Sequence, residues 1–252
     1  MLNQLELNAL LSPFETVSLQ ELDKIRLMNR VDTKFAFSMD DLTKILPELV
    51  NGYKCLQVNS CMIQTYKSLY FDDDKFSFLK AHHNGRVNRF KVRIRNYVES
   101  QLYFLEVKHK IKRRTDKSRI ELDNFTDQLD AAQNEFVQGI LQKQMSLIPV
   151  LWNEFRRITF SGKTFNERLT LDLHLVFNQE ESNYTMENVV IAELKQADLD
   201  RNSPFYQIMK KYTVRPLRVS KYCVGLYSIH GQQKIKGNRF KKKIKILNSI
   251  NN

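Results

Sequence analysis

Residues 90–97 read Phe-Lys-Val-Arg-Ile-Arg-Asn-Tyr, an alternation that commits the segment to an extended strand with two unlike faces. Lys91, Arg93 and Arg95 share one face, and Val92 and Ile94 point the other way. The same division recurs along the chain. Glu106, Lys108 and Lys110 align in 104–110, and Arg30, Asp32 and Lys34 align in 30–34. Arg168, Thr170 and Asp172 oppose a row of leucines, and Glu193 aligns with Lys195. A single strand of this kind is a sheet with one wetted face. Several together pose a harder problem. Two cations about 4 Å apart repel by roughly 4 kcal/mol at an effective dielectric of about 20. Asp32, Glu106, Asp172 and Glu193 are too few to neutralise the cations beside them. Such crowding is tolerable when an anion fills the space between neighbouring strands. A linear phosphate chain fits, because arginine forks pair with phosphate oxygens two at a time. A closed barrel turns these faces into an inner wall.

The rest of the chain agrees with a polyanionic partner. Formal net charge is +12 over 252 residues. Seven cations and no acid fall between Lys234 and Lys245, and removing those seven from +12 leaves +5 on the body. The body is therefore basic without its tail. Cys55, Cys61 and Cys223 form no CxxC pair, and an odd count argues against a disulfide framework, so the chain reads as cytoplasmic. No secretory leader is evident in residues 1–17, and no apolar run is long enough to span a membrane.

The pattern predicts an α+β protein built on an antiparallel β-barrel with flanking helices. A helix is expected after Ser18, where Glu21 completes a capping box and Leu19, Leu22, Ile25 and Met28 form a stripe. Ser38 with Asp41 opens another, carrying Leu42, Ile45, Leu46 and Leu49. Strands are predicted at 64–72, 76–82, 88–98, 102–110 and 118–123, with Asp73-Asp74 and Asn84-Gly85 as turns. A helix is expected over 127–147, then strands at 154–161, 167–177 and 188–196. Ser203-Pro204 starts a helix, and a last one runs from Ser220 to about His230. The organisation expected is a segment 1–17, a domain 18–231 and a basic tail 232–252, whose default reading is a solvated end.

The chemistry on offer is narrow. Glu106 and Glu193 can hold Mg²⁺ or Mn²⁺ against phosphate oxygens, since these ions commonly use one or two protein carboxylates plus substrate phosphates. The alternative is that each glutamate pairs with the lysine two positions on. There is no Gly-rich Walker loop and no Ser/His/Asp or Cys/His constellation. A nucleic-acid partner is not expected, because alternating strands favour an enclosed site over an exposed basic groove.

Taken in order, Arg30-Val31-Asp32-Thr33-Lys34, Tyr70-Phe71-Asp72, Arg93-Ile94-Arg95, Leu105-Glu106-Val107-Lys108, Arg168-Leu169-Thr170-Leu171-Asp172, Ala192-Glu193-Leu194-Lys195 and Ser220-Lys221-Tyr222 resemble the VTC polyphosphate polymerase family. That family lies within the triphosphate tunnel metalloenzyme, or CYTH-like, superfamily. The resemblance runs from about residue 25 to about 230. It implies a tunnel that binds ATP and inorganic polyphosphate and, with Mn²⁺ or Mg²⁺, moves the γ-phosphoryl of ATP onto a growing chain. It places Arg93, Arg95, Lys108 and Arg168 at the reacting phosphate. Lys34, Lys117, Arg157, Lys195, Lys221 and, near the tunnel end, Arg218 hold flanking phosphates, with Glu193 as metal ligand. Lys112 and Arg113 lie close enough to compete with Lys117, and Arg156 with Arg157. The hydrolytic branch of the superfamily carries an ExExK strand. Here that strand reads Arg-Val-Asp-Thr-Lys, as in the polymerase branch. The membrane-spanning and phosphate-sensing parts of eukaryotic relatives have no counterpart in this sequence, so the resemblance points to a stand-alone, bacterial form.

Overall fold

A computed structural model describes residues 3–24, 30–112, 114–235 and 237–252. Eleven strands lie in one sheet: β1 Thr16–Val17, β2 Val31–Ser38, β3 Tyr53–Leu56, β4 Ile63–Asp72, β5 Asn88–Tyr97, β6 Leu102–Ile111, β7 Arg114–Leu122, β8 Ile148–Gly162, β9 Glu167–Gln179, β10 Ser182–Met186 and β11 Val189–Gln196. Among the described residues, eight α-helices flank it: α1 Gln4–Leu11, α2 Leu19–Lys24, α3 Met39–Leu49, α4 Ser77–His83, α5 Ala131–Leu141, α6 Pro204–Lys211, α7 Lys221–Lys234 and α8 Asn238–Asn251. The main path through the sheet is β2-β11-β9-β8-β4-β5-β6-β7, with every neighbouring pair antiparallel.

The expected α+β architecture is present, but the barrel is not closed by a ladder, because β2 and β7 stand at opposite ends of the path. The free edge of β2 meets a short extended segment instead. Leu217 donates its N–H to the Lys34 carbonyl at 2.7 Å, and Lys34 Nζ donates to the Val219 carbonyl at 3.4 Å. One residue on, Ser220 Oγ accepts from Lys91 Nζ of β5 at 2.9 Å. Residues 217–220 therefore tie one end of the curled sheet to its far wall.

Apolar side chains divide into two main cores. Phe35, Phe160, Leu169, Leu171, Leu173 and Leu194 cover one sheet face beneath α1, α3 and α6. Val92, Ile94, Leu105 and Val107 of β5 and β6 pack with α4 and α5 in the other, which also takes in α7 and α8. The expected helix at 203–211 and the Ser38-capped helix form as read. Ser18 and Glu21 also make their capping box, although Ile25 and Met28 lie outside the described residues. α7 sits against the sheet at Gly225, where an added Cβ would come within 2.4 Å of the Phe177 ring and 2.8 Å of Leu151.

Three readings of the sequence need correction. Residues 76–82 are not a strand. α4 forms there because the carboxylates just upstream take its first N–H groups: Asp72 accepts from Phe78 at 2.9 Å and Leu79 at 3.0 Å, and Asp73 accepts from Ser77 at 2.7 Å. The helix expected over 127–147 is confined to α5, opened by Asp130 in a capping box with Gln133. Much of the basic tail is ordered as α8, whose Phe240, Ile244 and Leu247 are buried. α1, β1, β3 and β10 had not been expected, and α1 carries its own capping box between Asn3 and Glu6. No helix among the described residues is long and apolar enough to cross a membrane.

Asp72 also accepts from the Tyr222 hydroxyl and so joins α4 to α7. Replacing Asp72 with Ala leaves two helix N–H groups and a buried phenol without an acceptor, at a cost of about 3 kcal/mol. Thermal unfolding should shift down by roughly 6–12 °C, whereas Asp72→Asn, which keeps one acceptor oxygen, should lose less. A melting temperature unchanged in Asp72→Ala would refute this account of why 77–83 is helical.

Candidate active site

Cross-strand register puts the alternating charges on one shared inner face. Glu193 of β11 lies between Lys34 of β2 and Thr170 of β9, and Lys195 lies between Asp32 and Arg168. Arg157 of β8 pairs with Asp172 of β9. Tyr70 and Ser68 of β4 face Arg93 and Arg95 of β5. On the other side of β5, Lys91 is opposite Lys108 of β6, which is opposite Lys117 of β7. Three lysines in register across three strands are a destabilising arrangement for a bare sheet.

Carboxylates organise part of this wall. Glu106, only 1% exposed, accepts from Arg93 Nε at 2.8 Å and Nη2 at 2.6 Å and is ion-paired to Lys117. Arg93 Nη1 also donates to the Tyr70 hydroxyl at 3.1 Å. Asp172, 2% exposed, is clamped through both oxygens by Arg157 Nε and Nη2 at 2.6 and 2.9 Å, and it accepts from Lys221 at the start of α7. Burial alone would raise the pKa of each carboxyl. The adjoining cations outweigh it and hold both well below the usual range. Glu193 is held more loosely, at 3.3 Å from Lys34 Nζ and 3.5 Å from Lys195 Nζ. Its pKa is also pushed far down, against burial, by Lys34, Lys195, Arg157 and Lys108.

Other cations have no such partner. Among the described residues, no carboxylate lies within ion-pair distance of Lys91, Arg95 or Lys108. Arg95 is buried, donates to Ser68 Oγ at 3.2 Å and lies over the Tyr66 and Phe155 rings at 5.3 and 5.7 Å. Burial, then the neighbouring Lys108, Lys34 and Arg93, lower the Lys91 ammonium to about 7. Burial and Arg157 lower Lys221 to about 8 against the pull of Asp172. Lys108 is shifted the same way, to about 8, by burial and by Lys34 and Arg93. Its side chain is nonetheless the most exposed of the three, so water screens it more than the other two. That Lys108 of β6 feels Glu193, Lys34 and Asp32 shows how far the sheet curls, since those residues stand at the opposite end of the strand order.

Most of the residues singled out from the sequence are thus brought together: Lys34, Arg93, Arg95, Lys108, Lys117, Arg157, Lys195, Lys221, Glu106 and Glu193. Arg168 stands in the row of Lys195, but its Nη2 donates to the Leu22 carbonyl of α2 at 2.6 Å. Arg218 is exposed and close enough to Lys110 to lower that lysine's pKa, after burial and Arg89. Of the competing placements, Arg156 is exposed and donates to Gln4 Oε1 at 2.7 Å, while Lys112 is exposed past the end of β6. Arg113 lies outside the described residues. Lys91 and Ser220 complete the site without having been assigned to it. The alternation in 90–97 carried the signal for Lys91, which shares a face with Arg93.

The metal-ligating groups are sparse: no cluster of three or more His, Cys, Asp or Glu side chains is found among the described residues. This donor set does not make a protein cage.

A lysine whose pKa is lowered on folding carries fewer protons folded than unfolded between its two pKa values. Lys91 therefore makes the ligand-free protein more stable as pH rises from about 7 toward its ordinary 10.5. A polyanion bound beside these lysines would restore their charge, so its binding should take up protons. Calorimetry of tripolyphosphate binding above pH about 8, in buffers of different ionisation heat, should show net uptake that weakens in Lys91→Met. Zero uptake would mean these lysines are already charged in the empty tunnel.

The sequence model of the VTC domain matches residues 29–230. No curated protein matches the sequence significantly. Solved structures of similar arrangement include HpAC1 of Hippeastrum, reported with a dominant triphosphatase activity, at 14% identity and TM-score 0.48 over 79% of this chain and 95% of that one. A candidate adenylate cyclase of Bacillus halodurans aligns at 12% identity and TM-score 0.47, covering 84% of this chain and 97% of that chain. The PH1819 protein of Pyrococcus horikoshii aligns at 12% identity and TM-score 0.43, over 79% and 99%. With the family model spanning most of its length and the motif residues gathered on one inner face, this chain belongs to the VTC domain family.

Proposed function

We propose that the protein is a polyphosphate polymerase, transferring the γ-phosphoryl group of ATP to the end of an inorganic polyphosphate chain held along the cationic inner face. The observation that carries this reading is the in-register row Lys91–Lys108–Lys117, of which only Lys117 has a carboxylate, Glu106, beside an Arg95 that has no carboxylate partner among the described residues. A string of phosphates supplies the charge missing at Lys91, Lys108 and Arg95 together, whereas a single small anion would serve only part of the group.

In this reading Arg93, Arg95, Lys108 and Arg168 surround the transferring phosphoryl group. Lys34, Lys117, Arg157, Lys195, Lys221 and Arg218 hold the phosphates on either side. A terminal oxygen of the chain attacks the γ-phosphorus, the bond to the β–γ bridging oxygen breaks, and ADP leaves with the electron pair. The attacking oxygen is already anionic, so no general base is needed. The residues contribute in-line positioning and stabilise the charge on the transferring oxygens. Glu106 and Asp172 orient Arg93 and Arg157, and Tyr70 adds a second hold on Arg93.

Glu193 is the carboxylate best suited to Mn²⁺ or Mg²⁺, because lysines contact it at 3.3 and 3.5 Å without the two-oxygen arginine clamp seen on Asp172. Glu106 is the weaker second ligand, since Arg93 and Lys117 already occupy its oxygens. The ion, when bound, neutralises charge on the phosphate oxygens.

Incubation with γ-labelled ATP and Mn²⁺ or Mg²⁺ should yield label in acid-stable chains. Glu193→Gln should reduce turnover by about a hundredfold or more while polyphosphate binding persists. Label released only as free phosphate would replace this reading with a tunnel triphosphatase. Absence of metal-dependent turnover in the wild type would leave a polyphosphate-binding protein.

A further inference from the structure

The most concentrated charge outside the tunnel lies on α8. Its apolar stripe, Phe240, Ile244 and Leu247, is buried in the core, and two polar contacts fix its far end: Tyr184 Oη donates to Asn248 Oδ1 at 2.8 Å, and Asn188 Nδ2 donates to the Ile250 carbonyl at 2.9 Å. The opposite face presents Lys241, Lys242 and Lys245 to solvent, with Arg239 and Lys243 beside them. No acid occurs in 237–252, and none of these cations forms a salt bridge among the described residues.

This placement is unfavourable for the helix by itself. Lys241 and Lys245 are like charges one turn apart, and several cations crowd the N-terminal half, where the helix dipole favours anions. The unbalanced charge is also shared with a neighbouring element. Arg239 N–H donates to His83 Nε2 at 3.4 Å, the Phe240 and His83 rings lie 5.2 Å apart, and Arg239 Nη1 stands 3.0 Å from where a Cβ on Gly85 would be. α4 and the turn that follows it into β5 add exposed Lys80 and Arg86. Arg89 follows and is directly opposite Lys110 in the β5–β6 ladder, beside Arg218. Lys243, Arg89 and the tunnel residue Lys91 all bear electrostatically on buried Cys223. Lys243 of α8 and Arg89 of the neighbouring turn thus stand close to the same buried group as Lys91 of the inner face.

We propose that the N-terminal half of α8, with the α4–β5 turn, is an external track for the polyphosphate chain, continuing the tunnel's cationic lining outside it. The proposal rests on the polyphosphate reading of the tunnel. The same surface is poorly made for other polyanions. No large apolar side chain of α8 is exposed, so the helix has nothing to insert into a lipid surface and no aromatic on which a base could stack. What it offers is rigid, closely spaced charge, which matches a chain that is itself only charge.

The test compares labelled long-chain polyphosphate with tripolyphosphate, which is short enough to read the tunnel alone. The triple variant Lys241→Gln/Lys242→Gln/Lys245→Gln should lower the ratio of long-chain to tripolyphosphate affinity by tenfold or more. Its long-chain salt slope should fall by about one unit per lysine removed. Lys241→Arg/Lys242→Arg/Lys245→Arg should restore both, which excludes a folding defect. An unchanged ratio in the Gln variant, with tripolyphosphate still bound, overturns the track and leaves the tunnel reading standing. Failure of the wild type to bind tripolyphosphate overturns the tunnel reading itself. Tighter binding of duplex DNA or anionic vesicles than of polyphosphate, lost in the Gln variant, would assign the surface to that partner and overturn the proposal.

Discussion

Repulsion between lysines that face one another across a β-ladder is the constraint from which the rest of the molecule follows. Lys91, Lys108 and Lys117 stand in register on β5, β6 and β7, and a sheet free to flatten would separate them into water. The curl of the sheet prevents this. It brings β6 within electrostatic reach of β2 and β11, so these charges share one interior with Lys34 and Lys195. Apolar cores on the other side hold the curl in place: the leucines of β9 under α3 and α6, and the valines and isoleucine of β5 and β6 under α4 and α5. Hydrophobic burial outside thus supports electrostatic crowding inside.

The carboxylates of the wall do two different jobs. Asp172 and Glu106 are locked against guanidinium groups, and each fixes an arginine in one orientation before any ligand arrives. Orienting groups of this kind lower the reorganisation that an incoming anion would require. Glu193 sits between two lysines without a bidentate clamp, which leaves its oxygens free to be shared. Glu106 and Glu193 look alike in the sequence, each two positions before a lysine, and Asp172 stands four positions after Arg168. Only the cross-strand partners separate them.

That contrast marks how much was legible beforehand. Period-two alternation assigned the faces of β2, β5, β6, β9 and β11, because side-chain direction in a strand is a local property, and β4 and β8 were located as strands without a face. Helices opened by Ser18, Ser38, Ser203 and Ser220 were legible for the same reason. Residues 76–82 were misread because the decisive acceptors, Asp72 and Asp73, lie outside the segment and look like turn residues. α8 was hidden by its own charge: seven cations from Lys234 to Lys245 mask the Phe240, Ile244, Leu247 spacing. The open seam between β2 and β7, and the 217–220 segment beside it, depend on contacts far apart in sequence. No local pattern encodes them.

Gly225 shows what that long-range packing controls. The helix it belongs to leans on the sheet at a point where even a methyl group would strike the Phe177 ring, so the separation between α7 and the wall is set by the absence of a side chain. Ser220 and Lys221 ride at the front of the same helix, as rigidly attached as the bit on a drill. The depth to which two anion-facing groups reach into the lumen is therefore gauged by one hydrogen atom more than a turn away. Bulk at that position would retract the helix without altering a single charge, converting a packing defect into a change of calibre at the far wall.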